Sequence, residues 1–165
     1  MDDTSAYRVI AAGFESVAAL RALIASEPEI IRTRTGLGET PLHYLAVENQ
    51  VEAVRVLIES GAEVSTLSTV GGTPLADSAS LGHIRIVELL LVAGAALSTV
   101  GQGEPTLHQA ARSGSAEVVS QILVAGAFVN ETNDMRETAL HVAAETDERL
   151  AVLEVLLAAA TSPRL

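Results

Sequence analysis

The sequence predicts an all-α fold in which short helices stack as a repeated array. The tetrapeptide TPLH at Thr40–His43 returns in altered form three times, as TPLA at 73–76, PTLH at 105–108 and TALH at 138–141. Its leucine keeps a register of 33, 32 and 33 residues, at Leu42, Leu75, Leu107 and Leu140. A repeat of this period is typical of solenoids, and it favours a binding surface over a catalytic pocket.

Each copy of the motif stands in the same local pattern. A glycine turn comes first, and the Thr-Pro pair predicts a helix start, because threonine caps the first turn and proline has no N–H to leave unsatisfied. A second helix, rich in Val, Leu and Ile, ends at Gly-Ala, since glycine suits the left-handed conformation that ends a helix. In the first full copy these parts are Gly38, Thr40-Pro41, a helix to about Glu48, a helix over Val51–Ser60, and Gly61-Ala62.

These residues resemble the ankyrin-repeat family, whose repeat has about 33 residues and the pattern T-P-L-H-x-A. Gly82-His83, Val87–Leu91 and Gly94-Ala95 also stand at the offsets of that family. The resemblance implies antiparallel helix pairs joined by projecting β-turns and stacked into a curved solenoid with a concave face. We expect one domain over residues 1–165, with a degenerate capping repeat at 1–34 and full repeats at about 35–67, 68–100, 101–132 and 133–165.

Three departures from the repeat pattern carry their own expectations. At Pro105-Thr106 the two residues are reversed, which moves the capping hydroxyl out of place and predicts the weakest repeat of the stack. Arg136 stands where the other repeats have the turn glycine. Ala159 replaces the terminal glycine of the last repeat, so we expect its second helix to continue towards Thr161.

Composition limits the classes of partner and the compartment. The net charge of −11 opposes binding to a phosphate backbone, so nucleic acid is not an expected partner. No apolar run is long enough to cross a membrane and no secretory signal is visible, which predicts a cytoplasmic protein. All 10 basic residues are arginine. That bias fits a GC-rich bacterial genome; the alternative is an effector that is secreted into a host cell and avoids ubiquitination there.

The four histidines are expected to be structural. His43, His108 and His141 share one place in the motif, and the resemblance implies that this imidazole ties neighbouring turns together. His83 fits the Gly-His at the turn between two helices. No metal-ligand spacing, HExxH, Walker loop or GxSxG is present, and cysteine is absent. We therefore expect no metal, no cofactor and no enzymatic activity.

The positions that line turn tips and first helices predict the partner surface, because equivalent positions form columns across a stack. Apolar tips stand before the turn glycine place and carboxylates after it. The residue after the motif, commonly leucine in the family, is here polar or amphipathic in three copies. Arg112 interrupts the negative charge and is expected to select one acidic group. The candidate residues are Leu37, Glu39, Tyr44, Glu48, Val70, Asp77, Leu81, Gln102, Glu104, Gln109, Arg112, Met135, Glu137 and Glu145.

These columns predict a protein–protein interaction module, acting as a small bacterial adaptor, inhibitor or regulatory subunit. Apolar tips among carboxylates favour a partner protein with a basic patch. The helix over Ala151–Ala160 suggests an alternative, because Glu154 is its only charge and a terminal repeat normally needs a polar outer face. That helix could support a homo-oligomer, and the protein would then be a self-associating structural component.

Overall fold

The computed structural model describes residues 3–98, 103–145 and 149–161. Within these ranges the chain forms ten α-helices and one 3₁₀ turn, at Pro28–Arg32, and the all-α prediction is confirmed. The helices, numbered α1 to α10, are Asp3–Glu15, Val17–Ser26, Pro41–Val47, Val51–Glu59, Pro74–Ser80, Ile84–Val92, Thr106–Arg112, Ala116–Val124, Ala139–Ala143 and Leu150–Thr161.

The first helix begins where the Thr-Pro pair predicts it in the two full repeats that have this pair. Thr40 and Thr73 cap α3 and α5, and the hydroxyl of Thr73 accepts a hydrogen bond of 3.1 Å from the N–H of Ala76. At the reversed pair, α7 begins at Thr106 behind Pro105, and no side chain caps it. The predicted loss of this cap is therefore confirmed.

Two helix and turn ends show what the missing glycines cost. Arg136 adopts φ 63°, a left-handed conformation that crowds the Cβ of any residue except glycine. The equivalent turn glycine of the first full repeat, Gly38, has φ 71° without such crowding. At the other end, α10 continues past Ala159 to Thr161, as predicted.

The helices form two columns. The inner column consists of α1, α3, α5, α7 and α9, and the outer column consists of α2, α4, α6, α8 and α10. Ala46, Ala79 and Ala111 hold one place on the inner helices, and all three are 0% exposed, so their small side chains allow close backbone approach. Neighbouring inner helices contact one another more extensively than neighbouring outer helices. The stack therefore curves with its inner column on the concave side.

Hydrogen bonds between repeats tie the turns together. The Nε2 atom of His83 lies 2.8 Å from the carbonyl of Val47, and that of His108 lies 2.8 Å from the carbonyl of Glu137. The structural role predicted for these two histidines is confirmed. His43 and His141 differ, because their Nδ1 atoms accept hydrogen bonds from the threonine N–H of their own turns, at 3.1 and 3.2 Å.

Candidate functional site

Three turn tips carry exposed apolar side chains. Leu37 is 61% exposed, Val70 79% and Met135 70%. Gln102, the predicted member of this column in the third full repeat, lies outside the described residues. Most of each of these apolar side chains is in contact with solvent, so they are available as anchors for another surface.

The inner helices add a second exposed apolar row. Tyr44 is half-buried on α3 and packs edge to face against Phe14 of α1, with ring centroids 6.4 Å apart. Phe14 itself is 48% exposed, and Leu81 at the end of α5 is 51% exposed. Phe14 was missed by the sequence reasoning because the first repeat lacks TPLH. Its register, one repeat before Glu48, is the signal that would have found it.

The carboxylates towards the C-terminus have hydrogen-bond partners within the chain. The Nη2 and Nε atoms of Arg112 donate to the two carboxylate oxygens of Glu104 at 2.8 and 3.2 Å. Asn133 donates to Glu104 and to Glu137 at 3.4 and 3.2 Å. Burial opposes the ionised form of Glu104, but the hydrogen bonds from Arg112 and Asn133 outweigh it and lower its pKa below the ordinary value. Arg112 was expected to select an acidic group of a partner; the structure gives it an internal carboxylate instead.

Glu145 extends this arrangement. Its carboxylate lies 3.9 Å from Arg112 and 3.7 Å from Arg149, while its side chain stays half-exposed. The neighbouring inner-face residue Gln109 is half-buried. We call this set the C-terminal network, and its members are Glu104, Arg112, Asn133, Glu137 and Glu145.

Asp77 presents the opposite situation. Burial and, to a lesser extent, the nearby negative charge of Glu39 together raise its pKa to about 6. Within the ranges that the structure describes, neither carboxylate makes a hydrogen bond or an ion pair. Glu39 and Glu48 are likewise without a cation there, although both belong to the predicted acidic surface. These are charges that the fold itself leaves unbalanced.

Gly72 explains why the Asp77 carboxylate has room in this place. The position of Gly72 is glutamate in the other full repeats, at Glu39, Glu104 and Glu137. A Cβ atom added to Gly72 would lie 2.5 Å from the Oδ1 atom of Asp77. The acid of the second full repeat therefore comes from the helix, recessed beside the turn, and not from the turn itself. We call the surface around it the N-terminal patch, and its members are Phe14, Leu37, Glu39, Tyr44, Glu48, Val70, Asp77 and Leu81.

Replacing Asp77 with asparagine should stabilise the protein. The folded state holds the pKa of Asp77 near 6, above its ordinary 3.8, so ionisation weakens folding as the pH rises through that window. After allowance for solvent screening of a partly exposed group, Asp77→Asn should raise the free energy of unfolding by about 1 kcal/mol at neutral pH. Urea unfolding measures this change, and the difference from wild type should vanish below about pH 4.

The matched control is Glu117→Gln, which removes the same charge from an exposed place on α8. Glu117 lies in the first turn of its helix, where a negative charge is favourable, so its loss should not stabilise the fold. Equal stabilisation by both variants would show that general charge repulsion, and not the site of Asp77, is responsible.

Two kinds of site receive no support from the described ranges. In those parts of the chain no group of three or more His, Asp or Glu side chains is placed to hold a metal ion. No helix among them has both the length and the apolar character needed to cross a membrane.

Comparison with known families adds an independent result. The family model described as ankyrin repeats, in 3 copies, matches residues 9–100 and 79–164. These two segments together cover most of the chain, including every repeat that carries the TPLH motif or its variants. No curated protein matches the chain.

Proposed function

We propose a protein-binding function from one premise: this chain belongs to the ankyrin-repeat family. Ankyrin repeats are generally protein–protein interaction modules, and the family is typically non-catalytic. We infer that this member is an adaptor, inhibitor or regulatory subunit that captures a partner protein through its inner face and turn tips. The partner presents a basic patch, and the source of the chain is a bacterium.

The observation that carries the proposal is the exposure of large apolar side chains among carboxylates on one face. Leu37, Val70 and Met135 project at the tips, and Phe14 and Leu81 stand exposed on the inner helices. Apolar anchors inside a polar rim are the usual anatomy of a binding interface. The net charge of −11 would speed encounter with a basic partner, and added salt would reduce that advantage.

The destabilising effect of Asp77 is a second argument for a binding function at the same surface. A half-buried carboxylate opposite another carboxylate weakens the fold, and natural proteins keep such groups mainly where function needs them. A cation supplied by a partner would remove the repulsion. This is an argument for function at the inner face, and it is independent of the exposed apolar residues.

Charge reversal tests the proposal. The triple variant Glu39→Arg, Glu48→Arg and Glu145→Arg should abolish capture of the partner from an extract of the organism of origin, while helicity by circular dichroism stays unchanged. Quantitative mass spectrometry of the captured proteins is the measurement. The three glutamates lie on the inner face or its edge, so a partner that binds there meets the reversed charge.

The control reverses three charges elsewhere in the molecule, on exposed outer-column helices or the loop after α4. These substitutions are Glu63→Arg, Glu117→Arg and Glu154→Arg. Capture should survive them. Loss of capture in this control together with full capture by the inner-face variant would place the interface on the convex side and contradict the proposal.

A second candidate function rests on α10. Leu150 is 63% exposed and Leu157 is 50% exposed, on a terminal helix whose only charge is Glu154. Such a surface favours self-association, which would make the protein a structural homo-oligomer. Sedimentation should then show a concentration-dependent dimer that Leu157→Glu converts to a monomer. A wild-type monomer at all concentrations would remove this candidate.

A further inference from the structure

The two parts of the inner face differ in whether the chain itself supplies partners to their carboxylates. In the C-terminal network, Arg112 and Asn133 already satisfy Glu104 and Glu137. In the N-terminal patch, Asp77 is close enough to Glu39 to feel its charge, and neither has an ion pair with a cation among the described residues. The register makes Glu39 equivalent to Glu104 and Glu137, but among the described residues Glu39 alone of these three has no side-chain donor.

The arginine nearest in sequence to Asp77 and Glu39 is already hydrogen-bonded elsewhere. Arg34 precedes Glu39 by one turn of chain, and its Nη1 atom donates to the carbonyls of Gly38 and Leu67 at 2.7 and 2.9 Å. This guanidinium holds two consecutive turns together and is partly buried in doing so. Moving it to the carboxylates would leave two carbonyls without their donor.

The shape of the place limits which group could reach it. The Asp77 carboxylate lies recessed in the space that the missing side chain of Gly72 leaves beside the turn. Val70, two residues before Gly72, is the exposed tip of the same turn. A long, narrow cationic side chain meets these limits, and arginine and lysine are the two that proteins supply. Arginine fits best, because its fork can bind both carboxylates at once.

Apolar side chains flank the same place on the inner helices. Phe14 and Tyr44 form an aromatic pair, and Tyr44 holds on α3 the register place that Asp77 holds on α5. Leu81 stands exposed at the end of α5. Apolar groups next to a cation would therefore bury themselves as the cation is bound. The N-terminal patch thus combines an unbalanced negative charge with apolar anchors, and charge complementarity indicates the occupant.

We propose that the N-terminal patch binds a short basic, amphipathic segment of the partner protein. One arginine or lysine of that segment lies between Asp77 and Glu39, and its apolar neighbours contact Phe14, Tyr44 and Leu81. In the C-terminal network Glu104 already binds Arg112, so that carboxylate does not take the cation. This inference rests on the proposed protein-binding function and names the partner's chemistry.

Selection of random dodecapeptides displayed on phage, against the full chain, tests the inference directly. The enriched peptides should carry one arginine or lysine with apolar residues beside it. Their affinity, measured by fluorescence anisotropy, should fall about tenfold in Asp77→Asn, because a desolvated charge pair is lost. That variant is expected to be at least as stable as wild type, so unfolding should not account for the loss. A citrulline in place of the peptide's arginine should weaken binding to wild type equally and to Asp77→Asn hardly at all.

The matched control is Glu117→Gln, which removes a charge from the exposed side of the outer helix α8 and should leave peptide affinity unchanged. Peptides without a basic residue, no enrichment at all, or an unchanged affinity in Asp77→Asn would each overturn the inference. Peptides that bind but respond only to changes in the C-terminal network would overturn it while leaving inner-face binding intact. Peptides weakened only by the outer-column variants would contradict both proposals.

Discussion

Acidification from about pH 7.5 to about pH 5 should lower the free energy of unfolding by about 2 kcal/mol through His43 alone. The full effect, complete near pH 4, should be about 3 kcal/mol. It arises because the folded protein binds the proton of this histidine far less readily than the unfolded chain does.

Burial is the cause. His43 is 0% exposed, and burial lowers its pKa from the ordinary 6.5 to about 4. Its Nδ1 atom is occupied as an acceptor of the Thr40 N–H. Its buried Nε2 atom lies near the backbone of Thr66 and Gly72, which oppose part of the shift, but it makes no hydrogen bond of good geometry. The neutral ring is therefore favoured, and stability that is complete above pH 6.5 falls as the pH drops towards 4.

Urea unfolding of wild type and His43→Ala across this pH range is the measurement. The variant should be less stable at neutral pH, since it leaves a cavity, but it should lose about 2 kcal/mol less on acidification. Alanine is accommodated at this place of the repeat, because Ala76 occupies it in the next one. Leu75→Ala, a core variant with every histidine intact, should show the full acid loss. A full acid loss in His43→Ala as well would contradict the prediction.

Replacing Pro105 with threonine should raise the free energy of unfolding by about 1–2 kcal/mol. The threonine hydroxyl would cap α7, as Thr73 caps α5, which is worth about 1 kcal/mol. Its N–H would also supply a donor to the Nδ1 atom of His108, which is buried and lacks a partner. Proline has no N–H, so the reversed pair removes two interactions at once. The greater freedom of the unfolded chain offsets part of the gain.

The reciprocal change gives the control for this prediction. Thr73→Ala removes the hydroxyl cap of α5 and should cost about 1 kcal/mol. Urea unfolding measures the change in unfolding free energy for both variants, from the midpoint and slope of each transition. A Pro105→Thr protein no more stable than wild type would show that α7 is not limited by its missing cap.

The period of the motif and its Thr-Pro pairs predict the helices because these signals are local. A hydroxyl or a proline acts on the turn of helix beside it, so even the reversed pair at 105 could be interpreted from sequence. The pairing of charges on the inner face could not be predicted from sequence. Glu39 and Glu104 are equivalent by register, yet only Glu104 meets an arginine and an asparagine, from α7 and the next turn.

Asp77 shows the same limit for a single residue. Its polarity marks it in the sequence as unusual for its place, but its recessed carboxylate depends on a missing side chain at Gly72. Such a feature requires the distance between two segments of backbone, which no local pattern contains. Phe14 needed the register of a repeat that lacks the motif. The structure therefore adds two properties that the register positions do not contain: the exposure of each side chain and the pairing of each charge.

The closer packing of the inner helices gives the stack a preferred way to deform. Inner neighbours are held by extensive contacts and outer neighbours by fewer, so bending that spreads or closes the outer column meets less resistance than sliding within the inner one. We therefore expect the curvature of the stack to vary while the spacing between the inner helices stays nearly constant. A partner that contacts the inner face at both ends of the stack would set its curvature. The resulting deformation would fall on the outer helices, which the partner does not contact.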